Sequence, residues 1–122
     1  MNRMSLFLSA TALSLTVAAT AFAHADLASA DPASGATIAA APAKITITFT
    51  EEVTPKFSGI EVLDPMGMRA DDGAAQASAD DAKVLSVGLK SMGPGVYKVS
   101  WHATAADDGH KTKGTYQFTV KP

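Results

Sequence analysis

The run Lys44-Ile45-Thr46-Ile47-Thr48-Phe49-Thr50 alternates without a break. In an extended chain Ile45, Ile47 and Phe49 share one side, and Thr46, Thr48 and Thr50 share the other. A helical period of 3.6 scatters those residues, and their β-branched side chains favour a pleated surface. The run is therefore a strand with one buried face and one wet face. Such a strand needs partners, and the rest of the chain supplies them. Residues 59–63 form a short strand closed by the turn Asp64-Pro65-Met66-Gly67. Val84, Leu85, Val87 and Leu89 mark another, followed by the turn Ser91-Met92-Gly93-Pro94-Gly95. Residues 96–104 put Tyr97, Val99 and Trp101 on one face and Lys98, Ser100 and His102 on the other. After a loop over 105–114, a last strand over 115–120 carries Tyr116, Phe118 and Val120 inward. Residues 70–82 are polar, acidic and rich in alanine, and read as a loop with at most a weak strand. Short strands with frequent turns predict an all-β sandwich or barrel.

The N-terminus follows different rules. Arg3 precedes an uncharged run over 6–22 that small residues close. That order of basic start, apolar middle and small-residue end is a secretory signal peptide. Ser9, Thr11, Ser14, Thr16 and Thr20 make the run too polar for a retained membrane span, which takes about 20 mostly apolar residues. Three overlapping small-x-small triplets end it: Ala19-Thr20-Ala21, Ala21-Phe22-Ala23 and Ala23-His24-Ala25. Cleavage after Ala23 starts the mature chain at His24. Cleavage after Ala25 discards His24. Composition does not choose between them. The expected division is a signal peptide over 1–23 and one β domain over 24–122, exported and not embedded in a membrane.

Composition narrows the chemistry. The chain has no cysteine, which excludes thiolate metal sites, a nucleophilic thiol and a disulfide. Its net charge of −2 becomes −3 when Arg3 leaves with the signal, and no basic stripe suggests a nucleic-acid partner. No serine sits in a G-x-S-x-G turn. The pairs Asp71-Asp72, Asp80-Asp81 and Asp107-Asp108 lack the ligand spacing of a calcium loop and read as solvated. Glu51 and Glu52 read as a solvated strand end, His102 as a surface residue and Trp101 as core.

Two of the three histidines sit in informative places. A chain that starts at His24 offers the imidazole Nδ1 and a free α-amine from one residue. That amine titrates near ~7.7–8.0, so a metal displaces its proton at neutral pH. Asp108-Gly109-His110 adds a carboxylate and a second imidazole, which point to the same side if the segment is extended. Amine, two imidazoles and a carboxylate suit a tetragonal Cu(II) ion. A surface loop histidine and a chance terminal one weigh about equally on spacing alone.

His24-Ala25-Asp26-Leu27, "DPASGATIAAAPAKITITFTEEV", "PKFSGIEVLDPMG", "GPGVYKVSWHA" and "DDGHKTKGTYQFTV" together resemble the CopC-type periplasmic copper-binding proteins. The resemblance spans the whole mature region. It implies a small Greek-key β-barrel or sandwich, immunoglobulin-like, of about seven strands. It also implies one Cu(II) ion per chain held by His24, Asp108 and His110, and a monomeric carrier or buffer in copper resistance. Delivery to an inner-membrane copper transporter fits the same picture. Asp107 beside Asp108 is an extra residue relative to many relatives and leaves the carboxylate ligand open between the two. Met66 and Met68 are expected to pack at a turn or rim, without a high-affinity Cu(I) site. Two rival functions use the same sequence. One is a copper-dependent oxidative enzyme with a histidine-brace site; against it, Trp101, Tyr97 and Tyr116 fall on apolar faces. The other is a metal-free immunoglobulin-like scaffold, which needs no terminal histidine.

Overall fold

A computed structural model describes residues 25–90 and 93–122. It is all-β: eight strands in two four-stranded sheets, with one short 3₁₀ turn, Pro55–Phe57. In chain order the strands are β1 (Leu27–Asp31), β2 (Thr37–Ile38), β3 (Lys44–Phe49), β4 (Gly59–Leu63), β5 (Gln76–Ala77), β6 (Val84–Gly88), β7 (Gly95–Thr104) and β8 (Lys111–Val120). One sheet runs β1-β3-β6-β5 and the other β2-β8-β7-β4. The chain changes sheet at every step except the β5–β6 and β7–β8 hairpins. The expected sandwich is therefore present.

The alternation in β3 does what its period requires. Ile45, Ile47 and Phe49 are buried, while Thr46 and Thr48 stay partly exposed. Leu85 and Val87 of β6 pack beside them. The facing sheet contributes Ile60 and Val62, then Tyr97, Val99 and Trp101, then Tyr116, Phe118 and Val120. Each fully buried side chain of this size contributes roughly 1.5–3 kcal/mol, so this two-sided core is the main source of stability. Within it Tyr97 stacks on Phe118, with centroids 5.3 Å apart, and Trp101 meets Phe49 edge-on at 5.4 Å.

Some elements differ from the sequence expectation. β1 and β2 are formed by Leu27–Asp31 and Thr37–Ile38, where the sequence reading placed no strand. β1 borrows its order from β3, to which it pairs antiparallel, and β2 lies parallel to the end of β8. β8 begins at Lys111 and not at 115, because the hairpin register with β7 carries through Thr104↔Lys111. Met66 and Met68 sit at the turn after β4, with their backbone N–H groups donating to Asp64 Oδ1, but their side chains are largely in solvent and do not pack.

Asp71 is the sharpest correction. It is not solvated: its side chain is buried and gripped by Arg69, with Nε donating to Oδ1 at 2.8 Å and Nη2 to Oδ2 at 2.7 Å. Val62 N–H and Gly73 N–H donate to the same carboxylate. The contact seals the outer edge of β4 with the segment that follows it.

Gly114 stands opposite Trp101 in the β7–β8 register. A Cβ there would come within 2.7 Å of the indole ring. Gly114→Ala is therefore expected to displace Trp101 from its place over the strand, at a cost of about 1–3 kcal/mol, the usual range for overpacking. Chemical denaturation followed by Trp fluorescence measures this; an unchanged midpoint and emission maximum would contradict it.

Candidate metal centre

The β7–β8 hairpin turns at one end of the sandwich. Ala105 N–H donates to His110 O at 2.9 Å, and Gly109 N–H donates to Ala105 O at 3.0 Å. This four-step closure needs a residue in the left-handed region, and Gly109 provides it with φ of 71°. The Asp108-Gly109-His110 segment is thus turned, not extended. What links the two candidate ligands is a local bond: His110 N–H donates to Asp108 Oδ1 at 2.9 Å. This is the side-chain-to-backbone closure that aspartate favours in turns. It fixes the Asp108 carboxylate at the base of the His110 side chain.

Asp107 takes another direction. With Glu51, Glu52 and Ala106 it lines a cavity of about 270 Å³. Ala106 N–H donates to Glu52 O at 2.9 Å, so the end of β3 braces the hairpin loop. The Glu51 and Glu52 side chains stay at least partly in solvent, as a strand end should, while the Glu52 backbone carries the brace. No local pattern signals this brace, because the two segments meet only through the fold.

The N-terminal side reaches the same end of the molecule. Ala25 is fully buried and belongs to the core cluster. Its carbonyl accepts a hydrogen bond from Thr112 Oγ1 at 2.5 Å, two residues beyond His110. Asp26 N–H donates to Thr50 Oγ1, and Thr50 N–H donates to Asp26 O. The chain leading into β1 is thus clamped between the β3 end and the start of β8. His24 lies outside the described residues. Among the described residues, no three His, Cys, Asp or Glu side chains gather with metal-site spacing.

His102 is exposed on the outer face of β7, across from Gly59, as a surface residue should be. Tyr97, Trp101 and Tyr116 are all buried, which leaves no tryptophan or tyrosine for a flat substrate-binding face. Burial pushes the Tyr116 hydroxyl well above its ordinary titration range. Among the described residues, no helix is long and apolar enough to cross a membrane.

Comparison with known proteins then decides the family. The family model described as the CopC domain matches residues 27–121. The chain belongs to the CopC family. It is 43% identical over 101 residues to Protein YobA of Escherichia coli K12, covering 82% of this chain and 81% of that protein. It is 36% identical over 112 residues to Copper resistance protein C of Xanthomonas campestris pv. juglandis, covering 84% of each. The crystal structure of CopC from Methylosinus trichosporium OB3b superposes with a TM-score of 0.75 at 31% identity, over 81% of this chain and 95% of that one. CopC-family proteins are copper-resistance proteins and not enzymes, so the histidine-brace oxidase reading falls away and a copper-related role stands.

Proposed function

We propose that this CopC-family chain is a periplasmic carrier or buffer that binds one Cu(II) ion through the α-amine and imidazole of His24, the imidazole of His110 and the carboxylate of Asp108. The observation that carries the reading is the anchoring of Ala25. The residue bonded to His24 is buried and tied to Thr112, on the strand that starts beside His110. Adjacent Cα atoms are about 3.8 Å apart, so the terminal residue starts from a fixed point at the hairpin end.

The same anchor argues against cleavage after Ala25. Cutting after Ala25 removes a fully buried residue and its hydrogen bond. Cutting after Ala23 keeps both and leaves His24 with a free amine. Asp108 is the better carboxylate than Asp107, because its carboxylate is already held against His110 while Asp107 lines the Glu51–Glu52 side. The proposed ligands are all nitrogen and oxygen, which select Cu(II) over Cu(I). The mature protein works as a monomer and passes its ion to a membrane copper importer.

Intact-mass measurement of the protein recovered from the periplasm after copper exposure tests this. The expected species is residues 24–122 plus one copper ion. A chain beginning at Asp26, or a metal-free chain under excess Cu(II), would sink it. His110→Ala is expected to weaken Cu(II) binding by more than about 100-fold, beyond the 10–100-fold typical of residues that only orient a ligand. Asp108→Asn should lose about tenfold or more, while Asp107→Asn stays near the native value.

A further inference from the structure

The outer face of the β4–β7–β8 sheet holds a trough that the copper reading leaves unused. One cavity of about 670 Å³ lies over Gly59, Glu61, Ser100, His102, Lys113 and the overhanging Arg69. A second of about 360 Å³ lies over Lys56, Phe57, His102, Thr104, Lys111 and Thr112. His102 borders both, so the two are halves of one groove. The floor is low at Gly59, where the imidazole of His102 leans across; a Cβ there would come within 2.6 Å of Cε1.

The charge of this groove opposes that of the protein. The chain carries a net charge of −2, yet the groove is bordered by Lys56, Arg69, Lys111 and Lys113 against one carboxylate, Glu61. Glu61 lies 3.9 Å from Arg69, and Arg69 is also engaged by Asp71. The three lysines make no ion pair among the described residues. Beside them stands Phe57, 56% exposed. It is held in place: its N–H donates to Thr54 O, and its carbonyl accepts from Thr104 Oγ1 at 3.0 Å. An exposed aromatic ring on a hydrogen-bonded turn, with Lys56 Nζ 5.7 Å from its centroid and Lys111 bordering the same cavity, is an anchor with little backbone ordering cost on binding.

We infer that this groove docks an extended acidic segment of a partner protein, with an apolar side chain of that segment against Phe57 and its carboxylates on Lys56, Lys111 and Lys113. The net negative charge of the chain disfavours such a segment where no lysines gather, so the clustered cations of the groove set its place as well as its attraction. An anionic bilayer fits less well, because membrane-surface binding needs basic and apolar groups on a protruding face, and here they line a concave one. Lys111 follows His110 directly and Thr112 holds Ala25, so a segment in the groove ends beside the hairpin loop. The docking surface itself stands on charge and shape and does not require the copper reading.

The test is an NMR titration of the ¹⁵N-labelled protein with a synthetic peptide of Asp and Glu around one central Leu-Phe pair. A counterpart with Lys in place of every acid, and phosphatidylglycerol vesicles, serve as the comparison ligands. The acidic peptide is expected to shift amides of the Phe57 turn, of His102–Thr104 and of Lys111–Thr115, and to bind more weakly as salt rises. Lys56→Glu with Lys113→Glu should weaken it about tenfold or more, and Phe57→Ala should weaken it at unchanged salt dependence. Melting curves and Cu(II) titrations of the same variants should match the native protein, which separates loss of docking from misfolding and from failure of the metal site. Shifts spread over the whole surface, equal binding of the basic peptide, or an unchanged Kd in these variants would overturn the proposal. So would vesicle binding through the same amides without peptide binding.

Discussion

A protein that begins at His24 should bind Cu(II) at least about 100-fold more tightly than one carrying a single extra residue before it, a difference of about 2.7 kcal/mol. The extra residue turns the amine into an amide, which removes a donor and opens the chelate ring. The imidazole of His24, Asp108 and His110 are untouched. Competition titration against a chelator of known affinity reads the difference. Because the amine must shed a proton near its pKa of about 7.7–8.0, the free-amine form should also bind more weakly as pH falls below that range, and a form with the His24 amine acetylated should lack that component. Equal affinity of the two proteins would remove His24 from the site and leave Asp108 and His110 without their partner.

The second large effect concerns stability. Asp71→Asn is expected to cost about 2–4 kcal/mol: breaking a buried ion pair from one side costs roughly 3–5 kcal/mol, reduced because the Arg69 side chain is half in water. For a domain of this size, that is a fall in Tm on the order of 10–20 °C. The electrostatics give the pH signature. Burial alone pushes the Asp71 carboxyl up, but the hydrogen bonds from Arg69, Val62 and Gly73 and the charge of Arg69 outweigh it and hold it at about 2, below its ordinary 3.8. A carboxylate with a depressed native pKa stabilises the fold fully above its unfolded value, and that contribution fades as pH drops through the native one. Native protein should therefore lose stability between about pH 4 and pH 2, and the Asp71→Asn variant should be flatter over that window. Parallel slopes in the two proteins would show that Asp71 is not the group responsible.

Asp71 also shows what a linear reading misses. It lies in a stretch of Asp, Ala and Gly whose composition looks solvated. Its burial depends on the backbone of β4 and on Arg69, and only Arg69 is near in sequence. The step Arg69-x-Asp71 was the available signal, since residues two apart in an extended segment share a side. β3, β7 and the second half of β8 were legible because each buries an alternating face, a pattern set by local geometry, whereas Lys111–Gly114 buries no such face and was read as loop. β1 and β2 were not: Leu27–Asp31 is largely Ala, Ser and Asp, poor strand formers on their own, and its order comes from β3 alongside it. At the candidate metal centre, Asp108 and His110 were visible as a spacing, but their turned geometry and the bracing by Glu52 arise from the hairpin and the neighbouring sheet.

β8 runs from the hairpin loop at Lys111 to Val120 at the opposite end of the sandwich. At about 3.3 Å per residue, this ten-residue strand separates its ends by about 30 Å. An immobilising handle placed beyond Val120 therefore stands a full molecular length from Asp108 and His110. The protein can be tethered to an electrode, a bead or a larger scaffold by that end, with the loop facing outward into solution.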